Sequence, residues 1–185
     1  MQNPRSKPSP NLLKDLPQPT AAGEIWVSDI TYVFTRNGTH YLAVIMDLFT
    51  RQIVGWEFDD HMESSLVENA LLKAEARHPR FRGSIFHSDR GSQYSSQLIR
   101  DHLSGQGYRQ SMSALGYCYD NAFCESFFAT FKKESFPPDQ LFESPATARR
   151  EIFSYLESFY NSRRIHTSLG NLSPDQFCHL HLQSN

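Results

Sequence analysis

An α/β fold, opening with an antiparallel three-stranded meander and continuing as alternating helices and strands, is the architecture this sequence predicts. Residues 25–34, 40–49 and 53–58 are short runs rich in β-branched and aromatic side chains, each bounded by turn residues. Beyond them the apolar positions change from a period of two to the spacing of a helix. At 185 residues the chain suits one domain that buries a real core, with an appended arm.

The elements follow in order. Asn37-Gly38 between the first two runs is a hairpin signal, so IWVSDITYVF and HYLAVIMDLF pair antiparallel. The polar turn Thr50-Arg51-Gln52 leads to the third strand, IVGWEF. Ser65-x-x-Glu68 reads as a capping box opening a helix that Pro79 stops near Arg77. Residues 84–87 form a short buried fourth strand, a helix runs from about Ser96 to Gln106 and ends at Gly107, and 109–112 give a weak fifth strand. The remainder is helical. One helix covers roughly 120–136, and Ser144-Pro145 opens another, in which Ile152, Tyr155, Leu156, Phe159 and Tyr160 share a core-facing side.

Composition narrows the function. The first 23 residues hold five of the ten prolines and no apolar run long enough for a signal peptide or a membrane span, which predicts a cytoplasmic protein. The domain plan is a proline-rich arm or linker at 1–23, a core at 24–178 and a tail at 179–185. Three cysteines, none in a C-x-x-C pair, argue against a disulfide framework. Cys178, His179 and His181 offer soft-metal donors, but so short a terminal run is more often incidental. The net charge of −2, from 18 basic and 20 acidic residues, weighs against autonomous tight binding to nucleic acid. Against that stand the late basic pairs Lys132-Lys133, Arg149-Arg150 and Arg163-Arg164, which serve equally well as solvated helix faces.

Three acidic residues carry the functional signal. Strand alternation puts Asp29 on one face with Ile25, Val27, Thr31 and Val33, where an unpaired carboxylate needs a cation, strong hydrogen bonds or a raised pKa. Asp89 begins Asp-Arg-Gly-Ser, a polar loop at the carboxyl end of the fourth strand, where open α/β sheets place their sites. Glu125 lies with Asn121 and Lys132 on one stripe of its helix, whereas Phe123, Phe127 and Phe131 share the core side. Each alone is ordinary: an exposed strand-end residue, a turn residue, a surface residue. Together they form a set of hard oxygen donors suited to Mg²⁺.

The segments WVSDITY, HYLAVIMDLFTR, IVGW, HSDRGSQY, QSMS, DNAFCESFF and YNSRRIHTSLGNLSP, in unbroken order from about Ile25 to Phe177, resemble the integrase-like catalytic core of bacterial insertion-sequence transposases of the OrfB type. The resemblance implies a ribonuclease H-like fold, with a five-stranded mixed sheet in the order 3-2-1-4-5 and helices on both faces. Neighbouring first and fourth strands, about 4.8 Å apart, would bring Asp29 beside Asp89. It further implies that Asp29, Asp89 and Glu125 are the catalytic acids, binding two Mg²⁺ or Mn²⁺ ions for cleavage at transposon ends and strand transfer into target DNA. Lys132 matches a DNA-contacting basic position. Asn121, on the same stripe, and Arg163 and His166, within the Y-N-x-x-R-x-H motif, are further DNA-binding candidates, the motif's role being left open.

The resemblance also implies DNA as partner, a homodimer or higher oligomer, no membrane association, and action at the nucleoid. Relatives carry upstream helix-turn-helix regions for end recognition, so a separate protein of that kind is an expected partner and the chain reads as a catalytic core alone. Departures from the pattern are Ala114-Leu115 where basic residues are usual, Tyr117 for Asn and Cys124 for a small residue. The alternative reading is a non-catalytic DNA-binding or dimerisation remnant of a transposase. A nuclease acting on RNA–DNA hybrids is a third.

Overall fold

The computed structural model describes residues 8–14, 16–78, 82–113 and 122–182. Its sheet has the strand order β3-β2-β1-β4-β5, with β1 at Ile25–Thr35, β2 at Gly38–Asp47, β3 at Ile53–Asp59, β4 at Ile85–Ser88 and β5 at Arg109–Met112. The first three strands are antiparallel, and β4 and β5 run parallel to β1. The five-stranded path is the expected one. A two-residue strand the sequence did not suggest, β6 at Leu141–Phe142, pairs with the far end of β1 at Phe34 and Thr35.

Strand alternation distributes two cores. Ile25, Val27 and Val33 of β1 with Leu42, Val44 and Met46 of β2 meet one helical layer, formed by α3 (Ala122–Ser135) and α4 (Pro145–Phe153). Trp26 of β1 with Ala43 and Ile45 of β2 meet the other, formed by α1 (Ser64–Arg77) and α2 (Gln97–Gly105). Strand β3 carries a register shift, with Ile45 opposite Gly55 but Met46 opposite Ile53. Such a bulge re-aims side chains, and here it leaves Gly55 facing α1.

Several local details differ from the sequence reading. The hairpin closes with Thr35 opposite Gly38, so its turn residues are Arg36 and Asn37 and Gly38 supplies the positive φ of 128°. Helix α1 starts at Ser64 behind Glu63, which makes no side-chain cap bond, so the Ser65-Glu68 capping box does not form. Ser96 and Ser144 do cap their helices, accepting hydrogen bonds from the amides of Ile99 and Thr147. Beyond Phe153 the helix widens to a π-helix over Ser154–Tyr160. A wider turn advances each residue less around the axis, and Phe159 rotates out to 41% exposure while Tyr155, Leu156 and Tyr160 stay buried.

The ends of the described chain are held down. Pro10 O accepts from the Met112 amide and Leu12 N–H donates to Ser111 Oγ, so residues 8–14 cover the outer edge of β5. The last helix, α5 (Pro174–Leu182), runs across the expected 178/179 boundary. No helix among the described residues is long and apolar enough to cross a membrane.

A Cβ on Gly55 would clash with the Ala70 carbonyl and lie 2.8 Å from Ala74 Cβ. Gly55→Ala is therefore expected to cost about 1–3 kcal/mol, the usual scale of overpacking. Urea unfolding followed by Trp fluorescence checks this; an unchanged midpoint would contradict the close strand–helix approach.

Candidate metal centre

The parallel ladder between β1 and β4 runs through only three pairs, Ile25 with Ile85, Trp26 with Phe86 and Val27 with His87. Asp29 and Asp89 each lie two residues beyond the last pair, Asp29 still on β1 and Asp89 in the loop just past the end of β4. Further along β1 the same edge is taken up by β6 at Phe34. Between these ladders the edge of β1 opens, and Asp29 sits in that opening.

Asp29 shares its face with buried Val27 and Val33 and accepts a hydrogen bond on Oδ1 from the Ile30 amide at 2.8 Å. Burial pushes its carboxyl up to about 6, against the lowering effect of that hydrogen bond, and the negative charges of Asp89 and Glu125 push it further in the same direction. The three acids thus share one electrostatic environment. Asp89 is exposed and holds its loop with Oδ1 accepting from the Gly91 amide at 2.9 Å. Glu125 is an exposed residue in the first turn of α3, with buried Cys124 and Phe127 on either side of it in sequence order fixing the helix phase. That helix is anchored by Phe127 stacked on Phe131 at 5.7 Å between ring centroids and edge-on to Tyr160 at 5.0 Å.

The donor set suits a hard divalent cation. Among the described residues, Asp29 and Asp89 each keep a carboxylate oxygen with no hydrogen bond, and Glu125 makes none. The ligand atoms of the three are not all within 4.8 Å of one another; among the described residues only Asp59, Asp60 and His61 form so tight a group, at the end of β3, with Asp59 half-buried and the other two exposed.

The polar residues around the acids support the scaffold. Ser28 Oγ donates to the Val44 carbonyl and meets the Tyr94 hydroxyl at 2.9 Å, beneath Asp29. Burial raises the Tyr94 phenol well above its ordinary range, with the charges of Asp29 and Asp89 adding to it, so it stays protonated. His87, fully buried, joins β4 to β5 through Ser111 Oγ at 2.8 Å and Ser113 Oγ at 3.1 Å.

The other candidates are scattered. Lys132 lies on α3, partly buried, and burial lowers its pKa. Asn121 lies outside the described residues. Arg163 is exposed, and the arginine at the fifth position of the Y-N-x-x-R-x-H motif is Arg164, whose Nε and Nη2 grip Glu134 at 3.0 Å each. His166 turns inward, its ring edge-on to Tyr160 at 5.1 Å, rather than standing out as a surface contact. Asn161, not singled out in sequence, clamps the start of β3 by accepting from the Ile53 amide and donating to its carbonyl, both at 2.9 Å. At the C-terminus His181 packs on Phe49 and Phe177, and Cys178 to His181 form no metal cluster among the described residues.

Residues 19–118 match the family model described as integrase core domain, and residues 106–174 match a second model with the same description. The chain is 42% identical over 168 residues to the transposase for insertion sequence element IS904 of Lactococcus lactis, covering 91% of this chain and 66% of that protein. It is 41% identical over 169 residues to transposase InsF for insertion sequence IS3A of Escherichia coli, covering 91% and 58%. The chain therefore spans about three-fifths of the length of these curated relatives. In fold it is similar to a chain of the simian T-cell lymphotropic virus intasome solved with a PP2A regulatory subunit, at TM-score 0.67 and 17% identity, covering 96% of this chain and 60% of that one. It is likewise similar to the HTLV-2 integrase catalytic core domain solved in complex with magnesium, at TM-score 0.58 and 15% identity, covering 86% and 99%.

Because the folded-state pKa of Asp29 lies above the ordinary value of 3.8, the stability it contributes is full below that value and lost as pH rises through about 6. In EDTA at pH 8, Asp29→Asn should be more stable than wild type by roughly 1–2 kcal/mol, allowing for solvent screening, with the gap closing near pH 4. Added Mn²⁺ should reverse the order at pH 8 by stabilising wild type alone. Thermal melts at both pH values, with and without the ion, check this.

Proposed function

The chain belongs to the integrase core domain family, and on that premise we propose that it is the catalytic core of a DNA transposase, in which Asp29, Asp89 and Glu125 hold two divalent cations for phosphoryl transfer. The observation that carries the reading is that half-buried Asp29, at the opening of the β1 edge, lies within reach of the charges of Asp89 and Glu125, so that acids from three separate elements meet there. Bound Mg²⁺ or Mn²⁺ supplies activation of the attacking oxygen and stabilisation of the leaving one.

The chain's own residues supply placement. Asp29, on the central strand, is the most buried of the three, and its proton competes with any cation up to about pH 6. Asp89, on a loop tied by Gly91, and Glu125, at a helix start, close the set from two sides. In the first reaction water attacks a phosphorus at the transposon end, the bond to the 3′-oxygen breaks, and that oxygen takes up a proton to leave a 3′-hydroxyl. In the second that hydroxyl attacks a target phosphodiester. Each reaction forms one P–O bond as another breaks, so no nucleotide is consumed.

DNA is the proposed substrate and partner, with Lys132 and exposed Arg163 as contacts along the strand. End recognition is assigned to a helix-turn-helix region or protein outside this sequence, and assembly to at least a dimer. The plan of a proline-rich arm, a core from about residue 24 and a short tail stands as part of the same proposal.

Labelled transposon-end or branched DNA incubated with Mn²⁺ tests it. Wild type should give cleaved and joined products, and Glu125→Gln should give at least about a hundredfold less, the scale of losing one electrostatic stabiliser. Glu125 is exposed, so circular dichroism should be unchanged. Equal product from both proteins would sink the proposal.

A further inference from the structure

A second polar site lies on the flank of α3. The turn between β2 and β3 places Arg51 in a left-handed conformation, φ 62°, that residues other than glycine rarely adopt. Its guanidinium lies 4.0 Å above the Phe123 ring centroid, and among the described residues it makes no hydrogen bond or ion pair. Its Nη1 is buried without a partner, as is Nε2 of His166. Leaving such groups unpaired costs about 1–3 kcal/mol each, more where charged. Asp47 favours the Arg51 charge but gives it no hydrogen bond, its carboxylate being taken by the amides of Gly23, Phe49 and Thr50, the Trp26 indole and the Thr50 hydroxyl.

Arg51 and His166 both line one cavity of about 190 Å³, whose other polar lining residues are Arg164, Tyr160, Ser126, Thr130 and Ser168. Among the described residues no carboxylate lines it. Their lining presents two arginines, a histidine, the Tyr160 phenol and the hydroxyls of Ser126, Thr130 and Ser168, and the volume falls below the roughly 300 Å³ at which drug-sized ligand pockets begin. The cavity has room for a small group and not for a nucleoside. Burial, then the charges of Arg164 and Arg51, push His166 down to about 4, against the smaller opposing effect of Glu134, which pairs with Arg164.

We infer that this cavity binds a single phosphate-type oxyanion, with Arg51 as its principal ligand and His166 and the Ser126, Thr130 and Ser168 hydroxyls completing the shell. Guanidinium groups suit phosphate oxygens in both charge and geometry. Ser126 directly follows Glu125 on α3, so an anion held here flanks the helix turn that carries the acid. The oxyanion comes from the backbone of a nucleic-acid strand or from free phosphate. The first source rests on the proposed function; the site itself does not.

Two arms separate these sources. In the first, inorganic phosphate is titrated against chloride at matched ionic strength, and melting temperature is read for wild type, Arg51→Gln and Ser168→Glu. Wild type should rise with phosphate as mass action requires, and neither variant should. Ser168 is exposed, so its variant keeps the test decisive if Arg51→Gln folds poorly. In the second, binding of a duplex oligonucleotide is measured against salt, and loss of the contact should make the slope of log K on log salt shallower by about 0.9. A phosphate shift with an unchanged slope supports the site with free oxyanion as its ligand. No shift in wild type, or equal shifts in all three proteins, overturns the inference. Glu125→Gln should keep the phosphate shift, so loss of cleavage and loss of this site are read apart.

Discussion

The early end of the β1–β4 ladder is the constraint on which the candidate metal centre depends. Parallel strands hold their neighbours about 4.8 Å apart for as long as they pair. After Val27 and His87 the pairing stops, β4 gives way to the Asp89 loop, and β6 does not reach β1 until Phe34. An acid on β1 within that interval stands beside the end of β4 and under the start of α3. Had the ladder continued, Asp29 would sit in a closed, apolar sheet face among Val27 and Val33 with no partner.

Much of the polar sequence around the acids is scaffold rather than chemistry. His87 pins β5 to β4, Ser28 and Tyr94 fill the space beneath Asp29 with a satisfied hydrogen bond, and Asn161 pairs with the backbone of Ile53 as a strand would. Asp47 collects five donors from the chain before β1, from β1 itself and from the turn after β2. Buried polar groups so fully paired fix the register of the elements they join. Arg51 and His166 are the contrast, buried groups left with unpaired nitrogens beside a cavity.

The helical C-terminal part does two jobs with one segment. Tyr155, Leu156 and Tyr160 complete the core beneath α3, and the π-helical widening sets the phase at which the chain leaves that core. Arg164, tied to Glu134, then arrives at the cavity from one side while Arg51 arrives from the β2–β3 turn on the other. The same aromatic cluster that orients Glu125 therefore also shapes the second site.

Short-range patterns determined a great deal. Period-two alternation located the meander within a residue or two and put Asp29 on the face of Val27 and Val33; Ser96 and Ser144 marked their helix starts; helix phase separated Glu125 from Phe127 and Phe131. These read correctly because each depends on neighbours within one turn or one strand. Tertiary structure alone decided the rest. The Ser65 capping box lost to a start two residues earlier, behind Glu63, β6 has too few residues to show a period, and Phe159 turned outward because of a widening that no local pattern announces. Arg51 looked like one more polar turn residue, and only the packing of Phe123 and the C-terminal segment around it leaves its charge buried beside an open cavity, since desolvation is set by whatever folds over a group rather than by its neighbours in the chain.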